Sequence, residues 1–204
     1  LKLSVAVLVD LPGPKYRIGR LAKEPLTLKA GEAVTLLCGT RHQQGSAIPV
    51  PHAIHRTLKP GSKIFINDGI VALSVLEVEG PRVLCRVRTG GEIRSHKGLN
   101  LPGTKLAAPS LTREDRRILD TAIRAGAAFV GLSFVRTRAH VLALRRILSR
   151  RAPHIGIVAK IEKPEALAAL PGIVAAADAV MVARGDLGIE MPFHKVPLLQ
   201  RTIL

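Results

Sequence analysis

The 204-residue chain has no tryptophan, one tyrosine and four phenylalanines, so aromatics make up only 2% of it. Its core must therefore be aliphatic, and the aromatic platforms that stack single-stranded nucleic acid are missing. Cysteine is nearly absent as well. Cys38 and Cys85 lie far apart, fit no metal or redox spacing, and are expected to be reduced thiols of a cytoplasmic protein. No run of about 18 apolar residues occurs, which excludes a membrane-spanning helix. Acidic residues are scarce, 15 against 31 basic ones, for a formal net charge of +16. Such an excess can signal nucleic acid. Here, however, the basic residues are mostly single and spread over helical stretches such as RAHVLALRRILSRR (138–151). That argues against nucleic acid as the main partner and fits a general attraction for phosphorylated small molecules.

Hydrophobic residues form 47% of the chain, enough for a sizeable core in one large domain, or in one domain with a smaller insert. The opening LKLSVAVLVDLPG is apolar but too short to span a membrane, and it has neither a basic leader nor a small-residue cleavage site. VAVLVD (5–10) is accordingly read as a strand.

From about residue 105 the chain alternates helix and strand. LTREDRRILDTAIRAGA (111–127) carries Thr112 as N-cap and Asp115 three residues on, a capping box. Ile118, Leu119, Ala122 and Ile123 form its apolar face, and Gly126 ends it. FVGLSFV (129–135), IGIVAKIE (155–162) and DAVMVARG (178–185) read as buried strands. Helices are expected at about 138–150, from Pro164 and near VPLLQRTIL. A strand about every 25 residues is the spacing of βα units in a parallel sheet. Residues 19–104 differ: AVTLL, KIFI, IVALSVLEV and RVLCRV are separated by KAGE, KPGS, NDG, EGP and TGG. That pattern predicts an antiparallel β module with tight turns. The expected plan is a first barrel strand within 1–18, an inserted β-domain at 19–104, and the parallel domain continuing over 105–204.

In a parallel β/α barrel, chemistry collects where strands end. VLVD ends at Asp10, GLSFVR at Arg136, IVAKIE at Lys160 and Glu162, and MVARGD at Arg184 and Asp186. Lys160 and Glu162 are two apart on one strand and point the same way. Glu162 and Asp186 at neighbouring tips make a hard oxygen site suited to Mg²⁺, and a lysine beside them would offset charge on a transferring phosphoryl group. Gly185 and Gly188 let backbone N–H groups approach an anion. The plain alternative for Lys160 and Glu162 is a salt bridge capping a core strand; four polar strand ends together favour a site. His52 and His55 are three apart with no third ligand evident, and His42, His96, His140, His154 and His194 are isolated. Histidine chemistry is not expected.

Seven segments, in this order, resemble pyruvate kinase: DLPGPKYRIG (10–19), IFINDGIVALSV (64–75), SHKGLNLPG (95–103), LTREDRRIL (111–119), FVGLSFVR (129–136), IVAKIEKPEAL (157–167) and VMVARGDLGIEMP (180–192). The resemblance implies a partial TIM (β/α)8 barrel, third to sixth strands, with an inserted small β-barrel domain that closes over the nucleotide. It implies transfer of a phosphoryl group from phosphoenolpyruvate to ADP, giving pyruvate and ATP, in glycolysis. Lys160 would stabilise the phosphoryl in flight, and Glu162 and Asp186 would hold Mg²⁺ or Mn²⁺. The N–H groups of Gly185 and Asp186 would receive the substrate carboxylate. Arg17 would contact nucleotide phosphate, and Asp68 and Lys97 would belong to the nucleotide lid or serve only as turn and surface residues. Ser133 and Arg136 would support the fourth strand's end. Much of the family uses K⁺. Lys15 in GPKYR matches the potassium-independent branch, in which an ammonium takes the place of the monovalent cation, with Asp10 facing that charge. A homo-oligomer is implied for the full-length enzyme.

A closed barrel of this kind takes about 250 residues, and outside the insert only about 118 remain. The resemblance places two strands before this sequence and two after it. Four barrel strands leave exposed edges. A fragment, a truncated product and a half-barrel completed by another chain all fit, and the 204-residue chain alone is expected to turn over poorly. Two alternatives stand beside this reading. One is a metal-dependent aldolase of the same barrel group; the other is a non-catalytic remnant that binds metal, nucleotide or a partner chain.

Overall fold

β-Branched and leucine-rich runs broken by glycine turns give two sets of strands, and each set closes a core of its own. The structure, a computed structural model, describes residues 5–104, 109 and 111–204. It divides into two compact units, Leu1–Pro14 with Ala108–Leu204, and Lys15–Ala107. Residues 1–4 of the opening apolar stretch, and the residues just past the expected boundary at 104, lie outside the described residues.

Along the chain, β1 (Leu8–Leu11) belongs to the first unit. The second unit holds β2 (Tyr16–Arg17), β3 (Leu26–Leu28), β4 (Ala33–Cys38), β5 (Ile48–Val50) and β6 (Lys63–Ile66). It continues with β7 (Val71–Glu79), β8 (Arg82–Thr89), β9 (Gly91–Ile93) and β10 (Gly98–Asn100). Seven of these form a sheet in the order β2-β10-β6-β7-β8-β4-β5, and β3 pairs with β9. The pairing is antiparallel throughout that sheet except for β4 with β5. The chain leaving β2 nearly closes the sheet: the Gly19 N–H donates to Pro49 O on edge strand β5, and the Arg20 N–H to Arg41 O. A side chain at Gly19 would put a Cβ 2.4 Å from Arg41 O, so only glycine permits that closure. Leu36, Ile48, Ile64, Ile66, Leu73 and Val83 fill the interior. The long strands β4, β6, β7 and β8 are the ones the sequence shows; the two- and three-residue strands carry too little periodicity to be read.

The other unit is a four-stranded parallel sheet, β1 with β11 (Phe129–Leu132), β12 (Gly156–Ile161) and β13 (Ala179–Val182), in that order. Its helices are α1 (Arg113–Arg124), α2 (Arg138–Arg151), α3 (Glu165–Ala168), α4 (Leu170–Val174), α5 (Arg184–Glu190) and α6 (Val196–Ile203). The capping box of α1 is present in full. Thr112 Oγ1 accepts from the Asp115 N–H at 3.0 Å, and Asp115 Oδ2 accepts from the Thr112 N–H at 2.7 Å. Asp115, buried, also accepts from the Gly13 N–H at 2.9 Å, which ties the loop after β1 to the start of α1. Leu119 and Ala122 are buried and Ile118 and Ile123 pack beside them.

Three expected elements are shorter than the sequence suggests. β11 stops at Leu132 rather than 135 because Phe134 adopts a left-handed φ of 54°, which no strand continues through. β13 stops at Val182, and ARGD opens α5 instead of ending the strand. The helix from Pro164 is two, since Pro171 cannot donate the N–H that a continuous helix needs. Among the described residues, no helix is long and apolar enough to cross a membrane.

Candidate functional site

The middle strands β11 and β12 are almost wholly buried on both faces, so polar side chains emerge only at their ends. Lys160 leaves β12 one residue before its end, and Glu162 follows the strand. The spacing of two turns both to the same side, and their charges meet at 3.1 Å. The Lys160 ammonium also donates to Asp10 Oδ2 at 2.9 Å and to Ser133 Oγ at 3.0 Å. An ammonium has three donors, and these three partners account for all of them.

Glu162 is more enclosed than Lys160, with side-chain exposures of 2% and 13%. Its second oxygen, Oε2, accepts from the Phe134 N–H at 2.9 Å. Burial raises the Glu162 carboxyl above the usual carboxylate range. The Lys160 charge and the Phe134 hydrogen bond oppose that shift, and the nearby Asp186 charge adds to it. Burial also works against the Lys160 ammonium, but the Asp10 hydrogen bond and the Glu162 charge outweigh it and hold its pKa above the ordinary value. Two carboxylates, those of Asp10 and Glu162, therefore meet on one ammonium.

Asp186 and Gly185 lie in the first turn of α5, directly after β13, and Asp186 is half-buried. Glu162 and Asp186 are the residues that could offer carboxylate oxygens to a divalent cation. Among the described residues no group of three or more His, Cys, Asp or Glu is placed to hold a metal. Two carboxylates alone could hold only an ion that keeps several positions for water and other oxygens, as Mg²⁺ does.

Asp10, expected to face Lys15, has its carboxylate engaged by Lys160 and Ser133. Lys15 belongs to the other unit, where its Nζ lies 3.8 Å from Asp68 Oδ1. That unit gathers the remaining candidates around the β2–β10 pairing. The Arg17 Nη1 donates to His96 O at 2.8 Å, Lys97 O accepts from the Ile18 N–H, and a Cβ at Gly98 would stand 3.1 Å from Lys15 Cε and 3.6 Å from Asp68 Oδ1. Asn67, Asp68 and Gly69 all have positive φ, which fixes the turn that carries Asp68. Arg136, half-buried, lies four residues beyond the end of β11, and its N–H donates to His140 Nδ1 at 3.4 Å.

Sequence reasoning missed Gly131, Phe134, Lys163 and Glu190. The Lys163 Nζ pairs with Glu190 Oε1 at 2.5 Å in a largely buried setting. The glutamate that ends GDLGIE, two residues before a proline, looks like a helix end and nothing more.

The family model for the pyruvate kinase barrel domain matches residues 1–204. Among curated proteins, the pyruvate kinase of Agrobacterium vitis is 41% identical over 203 residues, 98% of this chain and 42% of that protein. That of Mycobacterium tuberculosis is 40% identical over 199 residues, 97% of this chain and 42% of that protein. That of Thermococcus litoralis is 37% identical over 207 residues, 100% of this chain and 43% of that protein. The chain thus spans about two-fifths of the length of the relatives it matches.

Proposed function

The chain belongs to the pyruvate kinase family, and from that premise we propose that its parallel unit carries the metal and phosphoryl groups of a phosphotransferase site. The reaction is transfer from phosphoenolpyruvate to ADP. The bond between phosphorus and the enol oxygen breaks, a terminal ADP oxygen forms the new one, and a proton added to the enolpyruvate carbon gives pyruvate. The observation that carries this reading is the Lys160 ammonium held between Asp10 and Glu162, with the Asp186 charge close by.

That arrangement has a plain electrostatic consequence. Asp10 and Glu162 already take up the Lys160 charge, and the Asp186 charge near Glu162 leaves an excess of negative charge that repels an anionic substrate until a cation is added. Glu162 and Asp186 would hold Mg²⁺ or Mn²⁺, which when bound supplies charge neutralisation for the phosphoryl oxygens. Lys160 would then be free to turn part of its charge toward the phosphoryl group, where charge on the equatorial oxygens is greatest. The N–H groups of Gly185 and Asp186 would bind the substrate carboxylate. Ser133 and Asp10 hold the Lys160 amine in place, and Arg136 would support that end of the sheet.

In the insert, Arg17, Asp68 and Lys97 would contact the nucleotide. Lys15 would supply the charge that other family members draw from K⁺, so activity in the assembled enzyme should not depend on that ion. Glycolysis, a cytoplasmic setting and a homo-oligomeric full-length enzyme are the family's expectations for it.

Thermal melts with Mg²⁺ or Mn²⁺ test the reading. The metal should raise the melting temperature of the 204-residue chain, and Glu162→Gln or Asp186→Asn should abolish that rise. A melting temperature indifferent to either metal would overturn the metal assignment. A coupled assay for pyruvate formation checks the poor turnover expected of the isolated chain, which ordinary rates of ~1–100 s⁻¹ would refute, and such rates would also overturn the binding-only alternative.

A further inference from the structure

We infer that Lys163 and Glu190 form an ion-pair clasp that sets the separation of Glu162 and Asp186, with Phe134 as its brace; this rests on the reading of those two carboxylates as metal ligands. Lys163 follows Glu162 in the chain, and Glu190 closes α5 one turn after Asp186. Residues four apart on a helix share a face. A bond that turns Glu190 toward Lys163 therefore turns Asp186 toward the strand tip that bears Glu162. The Asp186 charge is indeed felt at the Glu162 carboxyl.

The tether matters because α5 cannot hold itself. It spans seven residues, and no side chain caps its start. A helix of two turns is unstable without tertiary support. The clasp supplies that support from an enclosed position, with side-chain exposures of 15% for Lys163 and 4% for Glu190. A buried pair at 2.5 Å holds one geometry, whereas an exposed pair would sample many.

Phe134 links the clasp to the other ligand. Its ring lies 5.7 Å from the Lys163 Nζ, within cation–π range. Its own N–H donates to Glu162 Oε2. A φ of 54° is rare for a bulky residue and persists only where neighbouring contacts over-determine it. One residue in a strained conformation thus orients Glu162 with its backbone and braces with its ring the pair that orients Asp186. Phe134, Lys163 and Glu190 are positioning residues, since each acts through one of the two carboxylates.

The test is made on the 204-residue chain with Lys163→Met and Glu190→Met combined. Removing both partners leaves no buried charge unpaired, an exchange that folded proteins often tolerate. Mn²⁺ alone is the probe, its dissociation constant read from the spin-resonance signal of the free ion. The double variant should keep its melting temperature within a few degrees, while the dissociation constant rises about tenfold or more. A folded double variant with an unchanged constant overturns the clasp. Amide hydrogen exchange without metal is the second arm. Residues 187–190 should lose protection while β12 keeps its own, and unchanged protection in α5 also overturns the clasp. If the parent chain takes up no Mn²⁺, the metal reading fails and the exchange arm decides the clasp by itself. Glu190→Gln keeps an acceptor for Lys163 without the charge and should give a smaller rise in the constant. Were the double variant not to fold, that single variant would carry both comparisons.

Discussion

Lys160 and Asp10 meet at 2.9 Å across an intervening strand, and the gap that lets them meet is Gly131. Asp10 on β1 is in register with Gly131 on β11, and Lys160 lies on the next strand, β12. A Cβ at Gly131 would stand 2.9 Å from Asp10 Oδ1 and 3.6 Å from Lys160 Cδ. Strands two apart in a sheet are roughly 9–10 Å from each other, so the side chains must reach over whatever lies between.

Gly131→Ala should therefore destabilise the chain by about 1–3 kcal/mol, the usual range for overpacking. Urea denaturation is the measurement. Elsewhere in a strand interior the same change is neutral or favourable by about 0.5–1 kcal/mol. The sign of the effect decides, and a stabilised variant would show that the gap is not needed.

Lys160→Met should cost about 3–5 kcal/mol, because it leaves the Glu162 charge buried with its partner removed. Adding Glu162→Gln should recover a substantial part of that loss. The comparison is a pair of denaturation curves for the single and double variants. Equal midpoints would mean that the two groups are not coupled.

Asp178 gives a dependence on acid. Burial alone would raise its carboxyl, but the Ile157 N–H at 2.6 Å and Arg145 at 2.7 Å outweigh that and hold it below the usual 3.8. A folded pKa below the unfolded one stabilises the chain at pH values above 3.8, and that contribution fades as pH falls through the folded value. Asp178→Asn should lower the melting temperature at pH 6, with the difference from the parent shrinking as the acid range is entered. The pair is partly exposed, so the effect should stay near 1 kcal/mol or less. A difference that holds constant into strong acid would contradict the assignment.

The two thiols should be silent in the folded chain. Burial raises both, Cys85 to about 12, and only the thiolate reacts. A thiol reagent at pH 8 should label neither residue in native buffer and both in guanidinium. Because the folded values lie above the unfolded ones, the thiols support stability fully below about pH 9 and lose that contribution as pH rises toward 12. Prompt labelling of the native chain would contradict the burial of these side chains.

The site residues legible in the sequence are those whose meaning depends on spacing alone. Lys160 and Glu162 can be paired from a period of two, and Thr112 with Asp115 from a period of three. The partner of Asp10 could not be read, because it depends on the register of β1 against β11 and on an empty position at Gly131. Phe134 was invisible for a different reason. Phenylalanine rarely takes a left-handed conformation, so SFVR looks like the end of an apolar strand. The start of α5 was hidden by its two glycines, which lower helix propensity although packing overrides it. In the insert, β7 and β8 are long enough to show alternation, whereas β2 and β10 hold two and three residues.

Those two short strands matter beyond their length. Gly98 opposes Arg17 and Leu99 opposes Tyr16, so the insert brings its own entrance and exit side by side. Joining β1 to β11 and bonding Gly13 to Asp115 would otherwise mean closing a loop of 102 residues. Once β2 has zipped to β10, the connection behaves as a much shorter tether, and the closure cost falls by about 1.4 kcal/mol. The module therefore acts as a staple on the chain that encloses it, and Asp10 can be delivered to its strand only at a discount that the insert grants first.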